Sequence, residues 1–236
     1  MPGKETFHYI VQHIHQDLAD VRSYTFDFGL SPFRFEPGQF VVGSIDYHSE
    51  RLQAALTLSS SPTNRESFEL TVKRTGNFGT KFYDVVQEGD VIEMTQPSGP
   101  FKLDINDTRP IFFIGRDYTV PAARGFYRYL VETNSTRPFA LVHEISSPNE
   151  LLYNEEFSSG KLKTFVRFAM LDAEIRPEGW RGLMGRISAP IIEKIVKQLN
   201  NTVFYVSAEG VDMKYFKAEL AKLPIDPQNI HLERWS

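Results

Sequence analysis

The chain of 236 residues contains no cysteine. That absence excludes disulfides, a thiolate nucleophile, iron–sulfur ligation and cysteine zinc sites, and it permits a cytoplasmic location, which is the expectation for this chain. No run approaches the roughly 18 consecutive apolar residues of a membrane-spanning helix. Met1 to Phe7 lacks the basic stretch followed by an apolar core that marks an export signal. No Lys- or Arg-dense run occurs, and 26 basic against 30 acidic residues leave a net charge of -4, which excludes nucleic acid and anionic membrane surfaces as partner classes. Neither a Gly-x-Ser-x-Gly elbow nor a Walker loop is present, so hydrolase and phosphoryl-transfer chemistry have no support. His13 and His15 share a strand face without a third ligand, and His143-Glu144 stands outside a helical His-Glu-x-x-His context. No metal site is therefore expected.

What is present is an ordinary globular composition, 41% hydrophobic and 24% charged, rich in Phe (19) and Tyr (10). Core packing explains most of these rings; flat ligands are the other use for them. Up to about residue 104 short alternating segments are separated by turn residues: Tyr9 to His15, Val21 to Phe28, Gln39 to Ile45, Leu56 to Ser59, Ser67 to Arg74 and Asp90 to Thr95. One helical stretch, Thr80 to Val86, interrupts them. Six short strands at this spacing predict a closed antiparallel β barrel over 1–105. From about residue 108 the rhythm changes. Strands at Ile111 to Ile114, Phe139 to His143, Thr164 to Met170 and Val203 to Val206 alternate with helices at Pro121 to Thr133, Asn149 to Phe157, Ala189 to Asn200 and Asp212 to Leu223. This predicts a parallel-sheet α/β domain over 106–236, with the boundary at Asp104 to Arg109.

Several ordered motifs sit on this frame: Glu36-Pro37-Gly38-Gln39-Phe40, Leu56-Thr57-Leu58-Ser59-Ser60-Ser61-Pro62, Val72-Lys73-Arg74-Thr75-Gly76-Asn77-Phe78-Gly79-Thr80 and Pro97-Ser98-Gly99-Pro100-Phe101-Lys102-Leu103. Taken with the barrel-then-α/β order, they resemble the ferredoxin reductase-like family of FAD and NAD(P)H oxidoreductases over nearly the whole chain. The resemblance implies FAD held in the barrel by Leu56, Thr57, Leu58, Ser59, Val72, Lys73, Phe78, Gly79 and Thr80. A helix beginning near Thr80 offers free N–H groups to a diphosphate, with Gly79 allowing close approach, and Thr57 faces the flavin N5 edge. The residues alone also allow Gly79-Thr80 to be a simple helix cap and Thr57 an outward strand residue.

Departures from the family pattern are informative. Ala54 replaces the Arg that holds the FAD diphosphate, and Leu56 replaces the aromatic against the flavin. A charge-assisted hydrogen bond lost in this way costs roughly 1.5–3 kcal/mol. Arg51, Lys73, Arg74 and Lys81 are the candidates to replace it. In the dinucleotide loop, Gly115-Arg116-Asp117-Tyr118-Thr119-Val120-Pro121 keeps Gly115 and Pro121 but has Arg116 and Tyr118 where glycines belong. Side chains forced into left-handed backbone there cost on the order of 1–2 kcal/mol. The Asp117 carboxylate at ~6 Å from a phosphate charge adds about 3 kcal/mol of repulsion. Gly115, Arg116 and Thr119 are the expected dinucleotide contacts.

Ser146 stands where an Arg for a 2′-phosphate is common, which with Glu144 favours NADH over NADPH. Ser188 follows Gly185-Arg186-Ile187 as a family-like helix start or a plain N-cap. Ser207-Ala208-Glu209 replaces a Cys-Gly-Pro sequence beside the nicotinamide, and the ending Ile230 to Ser236 matches an acidic-aromatic terminus. Ser207, Glu233 and Trp235 join Thr57 as the implied catalytic set; Trp235 reads equally as a packing anchor. The implied activity is electron transfer from NADH or NADPH through FAD to a redox partner protein or small acceptor. The alternative is an electron-transfer or regulatory subunit that has lost NAD(P)H turnover.

Overall fold

A computed structural model of the chain describes residues 5–29 and 33–235. Met1 to Lys4 of the stretch read for an export signal, and the terminal Ser236, lie outside the described residues. The chain divides into two units: residues up to Leu103 together with Arg124–Tyr129, and Asp104–Ala123 together with Leu130 onward.

The first unit contains β1 (Thr6–Leu18), β2 (Val21–Asp27), β3 (Phe40–Tyr47), β4 (Glu50–Thr57), β5 (Ser67–Lys73), α1 (Gly76–Val85) and β6 (Val91–Thr95). Its antiparallel sheet runs β4-β3-β6-β1-β2-β5. The two ends of that order meet at a bridge between Leu58 and Leu70, with the Ser59 N–H donating to the Glu69 carbonyl at 2.9 Å. β1 serves two neighbours because irregularities after Val11 and Gln16 bend it from β6 toward β2. Alternation in these strands sends Tyr9, Phe26 and Phe68 inward, and Phe28 and Phe33, which follow β2, join the same cluster. Phe33 stacks on Phe68 at 4.2 Å and Tyr9 meets Phe68 edge-on at 5.1 Å. Much of the aromatic surplus is thus one ring cluster inside the sheet.

The second unit contains β7 (Ile111–Arg116), the two ends of α2 (Pro121–Glu132, whose Arg124–Tyr129 belong to the first unit), β8 (Phe139–Ile145), α3 (Asn154–Ser158), β9 (Phe165–Leu171), β10 (Leu183–Met184), α4 (Ala189–Ile195), β11 (Val203–Glu209), α5 (Gly210–Leu220) and β12 (Ile230–Trp235). All pairs are parallel, in the order β10-β9-β8-β7-β11-β12. Phe112, Ile114, Val142, Met170, Phe204 and Val206 pack one face against α4 and α5. The chain winds outward from β7 to β9, then returns to β11 on β7's other side. The carboxyl ends of β7 and β11 therefore flank the switch point where open α/β sheets bind ligands.

Several sequence expectations need correction. The strand expected at Leu56 to Ser59 begins at Glu50, since β4 pairs with β3 from Glu50 opposite Tyr47. Helix α1 begins at Gly76 rather than Thr80. The helix expected over Asn149 to Phe157 is broken, because Tyr153 takes left-handed backbone (φ 57°) and only Asn154–Ser158 is α-helical. Helix α4 stops at Ile195 instead of reaching Asn200. The terminal motif is strand β12, paired along β11. Among the described residues no helix is long and apolar enough to cross a membrane.

Candidate functional site

Each unit carries one strand-to-helix junction of the kind the motifs single out. In the first, β5 ends at Lys73 and the chain turns through Thr75 into α1, with Gly76 at φ 60°. Thr75 is the N-cap but makes no side-chain capping hydrogen bond, and no acidic residue occupies the first turn. The N–H groups there keep the positive end of the helix dipole for an external acceptor. A Cβ at Gly76 would meet nothing within 4 Å, whereas one at Gly79 would stand 2.4 Å from the Lys73 carbonyl oxygen. Gly79 therefore seats the helix on β5, and the open space lies at Gly76.

Around this junction the expected flavin residues divide. Leu56, Leu58 and Val72 are buried in the core, with Phe78 packed partly over that cluster. Thr57 ends β4 and is 5% exposed. Ser59 is engaged internally: its hydroxyl donates to the Glu69 carbonyl (3.2 Å) and accepts from Thr71 (3.1 Å). Thr71 and Arg124 both reach Ser23 (3.1 and 3.2 Å), and Arg124 and Arg128 both pair with Glu69. The four cations that could replace the missing Arg all have partners: Arg51 pairs with Glu93 (2.6 Å), Lys73 with Asp20 (3.6 Å) and Arg74 with Asp84 (2.7 Å), while Lys81 lies 4.6 Å over the Tyr47 ring. What this junction leaves for an external anion is the set of backbone N–H groups of the first helical turn.

At the second junction the chain runs from β7 through Gly115 to Thr119 into α2. The expected strain at Arg116 and Tyr118 does not occur; the residue at positive φ is Asp117 (46°), a type that tolerates left-handed backbone. The turn is closed locally. The Thr119 hydroxyl accepts from the Arg116 N–H (3.0 Å) and lies 2.6 Å from the Ser207 carbonyl of β11. A Cβ at Gly115 would collide with Val120 at 2.4 Å, so this glycine too serves the protein's own packing. Asp117 accepts from the Ser146 N–H (2.7 Å) and hydroxyl (3.0 Å), tying the loop after β7 to the one after β8. His143, fully buried, directs Nε2 to the Asp117 carbonyl at 2.7 Å, and burial pushes its imidazole down to about 4.

The strand ends converge on one ionic cluster. Glu144, at 0% exposure, accepts from Arg116, from Arg186 Nε (2.8 Å) and from the Ile187 N–H (2.8 Å). Arg116 also reaches Asp172 (3.0 Å) and Asp212 (3.2 Å), and Arg186 reaches Asp212 (2.6 Å). Burial opposes the charge on Arg116, but Glu144 and Asp212 outweigh it and hold the guanidinium above its ordinary value. Beside this cluster the Ser207 hydroxyl donates to Glu233 (2.6 Å) and accepts from the Trp235 indole N–H (2.8 Å). Tyr118 meets Trp235 edge-on at 5.5 Å and donates to Glu209. Ser207, Glu233 and Trp235 thus come together within this unit, and Thr57 belongs to the other.

Comparison with known proteins follows the same layout. The flavohem-like FAD/NAD-binding domain of a nitric oxide dioxygenase from Vibrio cholerae O1 biovar El Tor superposes with a TM-score of 0.83 at 17% identity, covering 97% of this chain and 98% of that one. A ferredoxin NADP+ reductase from Neisseria gonorrhoeae, with bound FAD and NADP, gives 0.79 at 14% identity over 98% and 99%. The chain has the ferredoxin reductase-like fold. In sequence it is similar to a glycine betaine monooxygenase reductase subunit of Pseudomonas aeruginosa, 26% identical over 224 residues and 86% of this chain. The chain spans only 61% of that relative's length. No protein-family model matches the chain.

On the ferredoxin reductase-like fold the residues that sequence reasoning missed are Asp172, Arg186 and Asp212 as members of the cluster, and the pairing of Arg116 with Glu144. A signal was present: the apolar runs of β7, β8 and β9 are followed by Arg116, Glu144 and Asp172, and a parallel sheet aligns such positions on one edge.

Proposed function

We propose that the chain is an FAD-dependent electron-transfer oxidoreductase of the ferredoxin reductase type, working with a redox partner protein or a small acceptor. The observation that carries this reading is the β5–α1 junction. An uncapped helix start with open space at Gly76 stands in the barrel of a fold whose solved examples include proteins with bound FAD. The N–H groups of Asn77 to Thr80 would hold the diphosphate, and Thr57 and Leu56 would lie against the flavin, with Thr57 as the hydrogen-bonding group. Bound FAD would supply the redox chemistry. The chain's part is to orient it and set its electrostatic surroundings. Ser207, Glu233 and Trp235 complete the proposed catalytic set.

A redox partner is supported by a relative that is, by its name, the reductase subunit of a monooxygenase. Family resemblance supplies NADH or NADPH as donor, and that half of the reading is separable from the flavin half. The test is flavin uptake by the purified chain. One FAD per chain, with quenched flavin fluorescence and dithionite reduction followed by electron delivery to ferricyanide, is the expected result. A colourless protein that takes up no FAD when offered it would overturn the proposal.

A further inference from the structure

We infer that the carboxyl-end crevice of the α/β unit is filled by the chain's own side chains and admits neither NADH nor NADPH. The inference deepens the reading above by removing one donor class, and it rests on that reading only for the fold.

Three observations carry it. First, at the switch point between β7 and β11, backbone N–H groups and small residues would have to receive a diphosphate. Here Arg116 extends across the strand ends to Glu144, Asp172 and Asp212, and Arg186 lies beside it on Glu144 and Asp212. With Asp117, which lies 3.7 Å from Arg116, two guanidiniums face four carboxylates, a formal surplus of two negative charges. A diphosphate would add charge of the same sign. Second, the cluster is not easily opened, because Glu144 is wholly buried and accepts three donors. Displacing Arg116 would strand that carboxylate with fewer partners. Third, the position that resemblance gives to the nicotinamide is occupied as well. Ser207 is 0% exposed, bonded to Glu233 and Trp235, with Tyr118 against the indole and fastened to Glu209. Nor is Gly115 left to serve a ligand, since it makes room for Val120.

Isothermal titration of the flavin-free chain with NADH, NADPH and ADP-ribose tests this independently of flavin uptake. No saturable heat is expected up to about 1 mM, the upper end of ordinary Michaelis constants. The combined substitution Arg116→Gly, Tyr118→Gly and Glu144→Gly, with folding checked by circular dichroism, should create at least tenfold tighter binding of ADP-ribose. Trp235→Ala combined with Tyr118→Gly opens the other half and should let NADH bind measurably. Saturable binding of either dinucleotide by the unaltered chain would overturn the inference. So would folded opened variants that still bind nothing, because the side chains named would then not be what excludes the ligand.

Discussion

The two strand-to-helix junctions differ in what meets the helix start. At β5–α1 the first turn has no side-chain cap and no acidic residue, and the space beside Gly76 is empty. At β7–α2 the loop from Arg116 to Thr119 is bound on every side by Glu144, Asp172, Asp212, Ser146, Ser207 and Glu209. The same strand-to-helix arrangement thus leaves one helix start open and closes the other. The difference lies in side chains rather than in the backbone path, since glycines persist at both junctions but do packing work at Gly79 and Gly115. A fold-level likeness predicts the positions of two ligand sites, and the side chains decide which is usable.

The most severe way to break the comparison is to remove the centre of the closed junction. Glu144→Leu should destabilise the protein by about 3–5 kcal/mol, because two half-buried guanidiniums lose the buried carboxylate they share. A loss below about 1 kcal/mol in urea unfolding would show that the cluster is solvated and the crevice open. Acid should weaken the same junction through His143. Burial holds its imidazole at about 4 instead of 6.5, so the unfolded chain takes up the proton first as pH falls. Stability is unaffected above pH 6.5 and declines by about 3 kcal/mol on going from 6.5 to 4. His143→Gln should flatten that decline in a pH series of unfolding curves.

At the open junction effects are smaller and fall on ligand binding. Gly79→Ala puts a methyl against the Lys73 carbonyl and should cost about 1–3 kcal/mol while abolishing FAD uptake. Gly76→Ala meets no protein atom and should cost only about 1 kcal/mol of stability, from its left-handed backbone, with FAD uptake weakened but not abolished by a methyl in the open space. Equal effects of the two on flavin fluorescence quenching would remove the distinction between a packing glycine and an open one.

How much of this was legible in the sequence follows from range. Periodicity found the barrel strands and the parallel β/α alternation because alternation and apolar runs are local. It misplaced β4, whose first six residues, Glu50 to Ala55, are exposed to half-buried and carry little apolar signal. It also ran a helix through Tyr153, whose left-handed turn has no glycine to announce it. The substituted glycines at Arg116 and Tyr118 were visible, but their consequence was misread as backbone strain. The actual effect depends on Glu144, Asp172 and Asp212, which come together only when the strands align in the sheet. The helix after β5 was legible, but its start was placed at Thr80 rather than Gly76. The internal engagement of Ser59 by Glu69 and Thr71 was not legible, because it arises where β4 and β5 close the sheet.

The central claim is that one junction is open to a phosphate-bearing ligand and the other is closed by its own side chains. Equilibrium dialysis of the purified chain against an equimolar mixture of FAD and NADH tests both halves in a single sample. The expected result is retention of one FAD per chain with NADH equal on the two sides of the membrane; retained NADH, or FAD that distributes freely, would contradict it.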